Sequence, residues 1–342
     1  MRVKELQFEL PTRLLATRPR ELAGERRDNA RLLVLCRKTG GIEHRRFHDL
    51  VEYVNPGDTI ILNDSRTINA HLFGDVEGLG RLEFQLRCYK GAGVWQAECR
   101  PWRDPVPGAR INFGPSLTAV VEGIRPEIPL WIMRFPDRPD FEDLLAELGR
   151  PIMSPYVDRV YGAEFYNTVY ARTPGSAEMP AAGRHFTPEL LDALTAKGVR
   201  MGYITLHTGL SSIDIQTEDV EKHKMLEEWY SVPEETSELL TETKKAGTRV
   251  FIVGTTVMRC LESAAGEDGR VAPGDHWTNL YIYPGYRFKV ADAFITNFHG
   301  PKSTRIALAA AFAGTELVLQ GYRQAIEREY LFYEFGDATL TI

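Results

Sequence analysis

Apolar and polar positions alternate with two different rhythms along this chain. Leu32 to Cys36 (LLVLC) and Thr59 to Asn63 (TIILN) are short apolar runs that predict buried strands, the second introduced by the turn Asn55-Pro56-Gly57-Asp58. From about Leu72 to Trp131 the segments RLEFQLRCY, VWQAEC, ARINF, LTAVVEG and LWIMRF alternate with period two, separated by Gly and Pro. That texture predicts a small antiparallel β module, a barrel or sandwich. DFEDLLAELG then reads as a short helix with Asp140 as N-cap and Gly149 past its end.

After Pro151 helices and strands alternate again. Thr187-Pro188 opens a helix that Gly198 closes, and VRMGYITLH is a strand. Ser231 and Glu234 have the spacing of a capping box for a helix ending at Gly247. RVFIVG, NLYIYP and DAFITN read as strands, and RIALAAAFAG as a helix behind Pro301 and Ser303. The predicted fold is α/β. A parent domain with a mixed, mostly parallel sheet comprises 1–71 and 152–342, and an inserted antiparallel β-barrel-like domain comprises 72–151.

Polar residues recur where predicted strands end: Asn63, Asp64 and Arg66; Thr205 and His207; Thr255 and Thr256; Tyr283 and Tyr286; Asn297 and His299. Parallel strands bring such ends to one edge of a sheet, where α/β proteins bind ligands. The stretch Tyr283 to Thr304 is the densest of these. Its NFHGPKST tail feeds a helix start whose free N–H groups favour an anionic or polar ligand group.

The chain has 342 residues, 43% hydrophobic and 26% charged, enough for an ample core. No apolar run reaches about 18 residues, so no membrane span is expected, and MRVKELQFEL carries no signal-peptide stretch. Cys36, Cys88, Cys99 and Cys260 lie far apart without a CxxC pair. They fit a reducing cytosol and neither a zinc site nor a disulfide framework, so a cytoplasmic, metal-free monomer is expected. No P-loop, GxGxxG, GxSxG or HExxH motif occurs.

Net charge is −6, yet residues 1–46 hold 12 Lys/Arg against 6 Asp/Glu. Such a segment is either a phosphate-facing patch or solvated loops paired with Glu21, Glu25 and Asp28.

The motifs resemble the S-adenosylmethionine:tRNA ribosyltransferase-isomerases of queuosine biosynthesis along essentially the whole chain. The resemblance rests on FELP, RLLVL, NPGDTIILND, AHLFG, YNTVYA, AGRHFTPELL, ITLHTG, VGTT, LESAA, IYPGYRFKV, DAFITNFHGPKST, AFAG and FGDA. It implies that S-adenosylmethionine acts as a ribosyl donor to 7-aminomethyl-7-deazaguanine in tRNA, giving epoxyqueuosine and releasing adenine and methionine. The implied course begins with removal of the proton beside the sulfonium, and it needs a base and a group that protonates departing adenine.

Histidine suits both tasks, and His299, His185 and His207 are the expected catalytic residues. For His185 and His207 a core histidine is the competing reading. Asn63, Asp64, Arg66, Thr205, Thr255, Thr256, Arg259, Tyr283, Tyr286, Asn297 and Lys302 are the expected binding residues. Asp64 and Arg66 have a structural ion pair as their alternative. Arg18, Arg20, Arg26, Arg27 and Lys289 are the expected tRNA contacts.

Several motifs depart from the family pattern. Thr17-Arg18-Pro19 replaces QYP or HYP; Ala181 and Arg184 alter APTAGLHF; Ser211 falls in the altered LHVGxGTF stretch; Leu226 replaces the second histidine of HxMHSE; Gly300 alters NFHLP. These changes keep two alternatives open: a paralogue with a different, possibly non-RNA acceptor, and a non-catalytic relative that binds RNA or a partner.

Overall fold

The computed structural model describes residues 1–125, 128–209 and 214–342. Among the described residues a nine-stranded sheet runs in the order Gly274–Thr278, Glu228–Val232, Arg200–Leu206, Thr59–Asn63, Val250–Val253, Ala293–Asn297, Ala338–Thr341, Arg31–Leu35 and Ile42–Arg46. Its four central strands, from Arg200–Leu206 to Ala293–Asn297, are mutually parallel. Thr59–Asn63, Val250–Val253 and Ala293–Asn297 are buried along their whole lengths, which is why they read as continuous apolar runs rather than alternating ones.

The two faces of the sheet carry separate cores. Ile61, Ile204, Ile252 and Phe294 face the helices Thr255–Ala264, Thr304–Ala313 and Thr315–Glu327. Ile60, Leu62, Phe251 and Ile295 face Leu190 and Leu194 of Pro188–Ala196. Successive strand side chains point to opposite faces, so each strand contributes to both layers.

Six antiparallel strands between His71 and Arg134 close into a barrel. Phe84, Phe113, Trp131 and Phe135 fill it. The α/β fold and the antiparallel barrel are as the sequence predicts.

Some local expectations fail. Ser231 does not cap a helix. It lies within the strand Glu228–Val232, and the helix Glu234–Ala246 starts behind Pro233 with no side-chain cap. Residues 279–284 form no strand; Tyr281 and Tyr283 instead pack on each other at 5.1 Å. The strand in that region is Gly274–Thr278, a polar edge segment. Asp140 is the N-cap of Phe141–Leu148, but its carboxylate is taken by Arg138 and not by a backbone N–H. Asp64 and Arg66 do not pair: Asp64 meets Arg172 at 3.1 Å, and Arg66 meets Glu142. Ser211 lies outside the described residues.

Candidate active site

A cleft of about 630 Å³ opens between the carboxyl edge of the central sheet and the barrel. Gln85, Arg87 and Arg100 line it from the barrel; Gly254, Thr255, Thr256, Asn297 and His299 line it from the sheet. The volume is that of a small-molecule site.

Asn63 explains how the sheet edge is set. Its side-chain N–H groups donate to the Leu206 carbonyl at 2.9 Å and the Thr256 hydroxyl at 3.2 Å, and its oxygen accepts from Leu206 N at 3.0 Å. One amide thus ties together the ends of adjacent parallel strands and the start of the helix Thr255–Ala264. Asn63 holds the site from behind and is not part of the cleft lining.

Gly254 precedes that helix with φ 93° and ψ 152°, a region only glycine adopts cheaply. The free N–H groups of the first helical turn therefore start at the cleft wall. Arg259, one turn on, is committed to structure. Its guanidinium pairs with buried Glu228 and donates to Leu280 O at 2.9 Å and Thr278 O at 3.3 Å.

His299 is buried and lines the cleft, with Nε2 2.9 Å from the Thr296 hydroxyl. Burial, reinforced by the charge of Arg305, holds its pKa well below the ordinary imidazole range, so the ring is neutral. Neighbouring Asn297 donates from Nδ2 to Tyr333 O at 2.9 Å. Its buried Oδ1 has no hydrogen-bond partner among the described residues. Arg305 lines the same wall with no ion pair to a described residue, and its Nε has no partner.

The other expected residues lie elsewhere. His185 is fully buried against Phe47 at 4.9 Å, behind the cleft wall. His207 stacks on Trp229 at 5.0 Å, contacts the Ser65 hydroxyl at 2.8 Å and lines a separate pocket of about 210 Å³. Burial lowers its pKa to about 4. Thr205 donates to Asp64 at 2.6 Å, Tyr283 packs on Tyr281, and Tyr286 donates to Glu262 at 3.3 Å. Lys302 is exposed, and Lys289 pairs with Glu267 at 3.3 Å. None of these residues lines the cleft.

The expected tRNA contacts are largely occupied by protein. Arg20 pairs with Asp337 at 3.0 Å, Arg26 with Asp28 at 2.7 Å and Arg27 with Glu21 at 2.6 Å; Arg18 is exposed.

Sequence reasoning missed Ser154, Tyr156, Arg305, Tyr333 and Glu334, all in the cleft. A signal existed for Glu334: a lone acid inside the aromatic run Phe332-Tyr333-Glu334-Phe335. Of the altered motif positions, Ala181 lines the cleft, Arg184 is buried behind it and Leu226 packs near Cys88 and Leu130.

Residues 3–341 match the family described as "Queuosine biosynthesis protein". The chain is 42% identical to the S-adenosylmethionine:tRNA ribosyltransferase-isomerase of Acetivibrio thermocellus, with 99% of each chain covered. It is 42% identical to the protein of the same name from Symbiobacterium thermophilum, with 100% of each covered. A crystal structure of S-adenosylmethionine tRNA ribosyltransferase from Thermotoga maritima is 35% identical, covers 99% of this chain and 100% of its own, and superposes with a TM-score of 0.56. The chain belongs to the queuosine biosynthesis protein family.

Proposed function

We propose that this protein transfers and isomerises the ribosyl part of S-adenosylmethionine onto 7-aminomethyl-7-deazaguanine in tRNA, giving epoxyqueuosine with release of adenine and methionine. The observation that carries this reading is the end-to-end identity to relatives bearing that name. The cleft is consistent with it. Its volume of about 630 Å³ suits a nucleoside with an amino-acid tail.

The cleft residues have the chemistry the substrates need. Arg305 lacks a carboxylate partner among the described residues and matches the carboxylate of the methionyl part. The N–H groups at the start of Thr255–Ala264 offer donors to polar ribose or adenine atoms. His299, neutral because it is buried, is free to take a proton, and the Thr296 hydroxyl fixes its ring. The reaction belongs in the cytoplasm, where tRNA is matured.

The deciding experiment incubates the protein with S-adenosylmethionine and tRNA carrying the aminomethyl base. Adenine and methionine should appear in equal amounts, together with a modified nucleoside. Folded protein that releases neither would overturn the reading.

A further inference from the structure

A strained turn carries an acid into the cleft. Tyr333 has φ 73°, a conformation that costs a bulky residue of order 1–3 kcal/mol. It is held there by Tyr333 N donating to Phe298 O at 3.0 Å, Gly336 N donating to Tyr333 O at 3.0 Å, and Asn297 Nδ2 on the same carbonyl at 2.9 Å. The Tyr333 hydroxyl occupies the place where any side chain at position 300 would begin, so Gly300 is what admits it. The Tyr333 ring then stacks on Tyr156, with centroids 4.5 Å apart and planes 18° from parallel. Tyr156 and Ser154 (3.2 Å) both donate to one oxygen, Oε2, of the next residue, Glu334.

Among the described residues Glu334 forms no ion pair, and the side chains bonded to it are two neutral hydroxyls. Tyr156, Tyr166, Tyr333, Glu178 and Arg305 are among the titratable groups that line the cleft with it. Of these, Glu178 is engaged by Arg87 at 2.8 Å. Burial raises the Glu334 carboxyl pKa, and the Glu178 charge raises it further against the two hydroxyl hydrogen bonds. An unpaired carboxylate in such a place lowers stability. So does the left-handed tyrosine, which its hydrogen bonds and the Tyr156 stack hold in place. Groups kept at such a cost cluster at functional sites.

Resting on the function proposed above, we infer that Glu334 receives the primary ammonium of the acceptor's aminomethyl group and removes its proton. The spare lone pairs of the carboxylate accept ammonium N–H bonds, a charge-assisted contact. One N–H bond then breaks, its electron pair stays on nitrogen, and the proton passes to a Glu334 oxygen. The neutral amine that remains is the nucleophile that the ribosyl transfer requires. S-adenosylmethionine carries an ammonium of its own on the methionyl part, but only the acceptor's amine must lose a proton to react, which gives the carboxylate to the acceptor; the S-adenosylmethionine affinity of Glu334→Gln separates the two.

The test compares binding of two tRNAs, one carrying 7-aminomethyl- and the other neutral 7-cyano-7-deazaguanine, to wild type and to Glu334→Gln. Glutamine keeps the size and the oxygen that Tyr156 and Ser154 bond, and removes the charge. Wild type should prefer the ammonium-bearing tRNA by about tenfold or more. Glu334→Gln should bring that ratio close to one and leave S-adenosylmethionine affinity, read by calorimetry, unchanged. A wild type with no preference, a variant that keeps it, or a variant that loses S-adenosylmethionine affinity instead, overturns the assignment. Tyr156→Phe is the second arm. It removes a donor to the carboxylate, so the acidic limb of kcat/KM should move to higher pH; an unmoved limb also counts against the inference. Wild type that releases no adenine from either tRNA condemns the proposed function itself, a result separable from the binding ratio.

Discussion

Arg184 Nη2 lies 2.7 and 2.6 Å from the two carboxylate oxygens of Glu21, yet the partners differ in burial: the Arg184 side chain is 1% exposed and that of Glu21 is 24%. Arg184 also donates to Phe165 O at 3.1 Å and lies 4.9 Å over the Phe335 ring, next to Glu334. Burial pulls its pKa down to about 10, against the pull of Glu21. Burial would raise the Glu21 carboxyl, but the charge and hydrogen bonds of Arg184, with Arg27, hold it below the usual range.

The asymmetry fixes the order of two mutational effects. Glu21→Ala strands a cation with no access to water and should cost about 3–5 kcal/mol. Arg184→Ala leaves a carboxylate that water and Arg27 can still reach, so it should cost less. Arg184→Met, which refills the volume, should cost least. Urea unfolding of the three variants checks the order, and equal losses would show that the pair is not asymmetrically solvated.

Acid stability follows from the buried histidines. His185 and His299 both titrate well below the ordinary 6.5, in each case mainly through burial. The unfolded chain therefore binds protons first as pH falls. The contribution of these rings is fully present above the unfolded value and is lost as pH drops below it toward the folded values. Each ring should add about 1.4 kcal/mol per pH unit to the slope within that window. His185→Leu should flatten the unfolding free energy between pH 6 and 5 by about one ring's share. An unchanged slope would mean that the ring is protonated in the folded protein.

Gly254 permits a third prediction. A methyl group there would meet only ordinary contacts, Thr256 Oγ1 at 3.4 Å and Ala182 Cβ at 3.5 Å. Its conformation, φ 93° and ψ 152°, is the obstacle. Gly254→Ala should cost about 1–3 kcal/mol, or be relieved by rotation that turns the Thr255 and Thr256 N–H groups away from the cleft. Either way S-adenosylmethionine affinity should fall, by about tenfold if the N–H contacts are lost. Calorimetric titration reads this directly, and unchanged affinity would remove this helix start from the ligand site.

The sheet was legible because its central strands are buried on both faces. Ile60-Ile61-Leu62 and Ala293-Phe294-Ile295 are unbroken apolar runs, and the carboxyl ends that follow are polar because they meet the cleft or its supports. The edge was not legible. Gly274–Thr278 is polar and exposed over most of its length, and is a strand only because Glu228–Val232 pairs with it. Within the site, a polar strand end could not reveal which way it faces. Asn63 and Thr205 spend their hydrogen bonds on neighbouring strands and on Asp64, whereas Asn297 leaves an oxygen unpaired. Tyr156 and Glu334 meet only in three dimensions, 178 residues apart in sequence.

Pairing with carboxylates likewise moves the expected tRNA face. Arg26 holds Asp28 with two bonds, at 2.9 and 2.7 Å, and has Glu189 at 3.3 Å on its other side. Arg27 spends its guanidinium on Glu21 and on the carbonyls of Asn167 and Glu164, each at 2.9 Å. Neither has a full charge left for a phosphate. Arg18 is exposed with no ion pair to a described residue. Asp158 N donates to Thr17 O at 3.0 Å, which brings Arg18 near exposed Arg159, a few residues from Ser154 and Tyr156 in the cleft wall. Arg18→Ala and Arg159→Ala should each weaken tRNA binding and flatten the dependence of log affinity on log salt by about one unit. Arg26→Ala should leave that slope unchanged, because it removes a cation already neutralised by two carboxylates. Arg27→Ala should appear mainly as lost stability, since it strips Glu21 of a partner that Arg184 also depends on. Filter-binding titrations across salt concentrations, run beside urea unfolding, separate these outcomes. A flattened slope for Arg26→Ala with none for Arg18→Ala would return the RNA contact to the paired arginines.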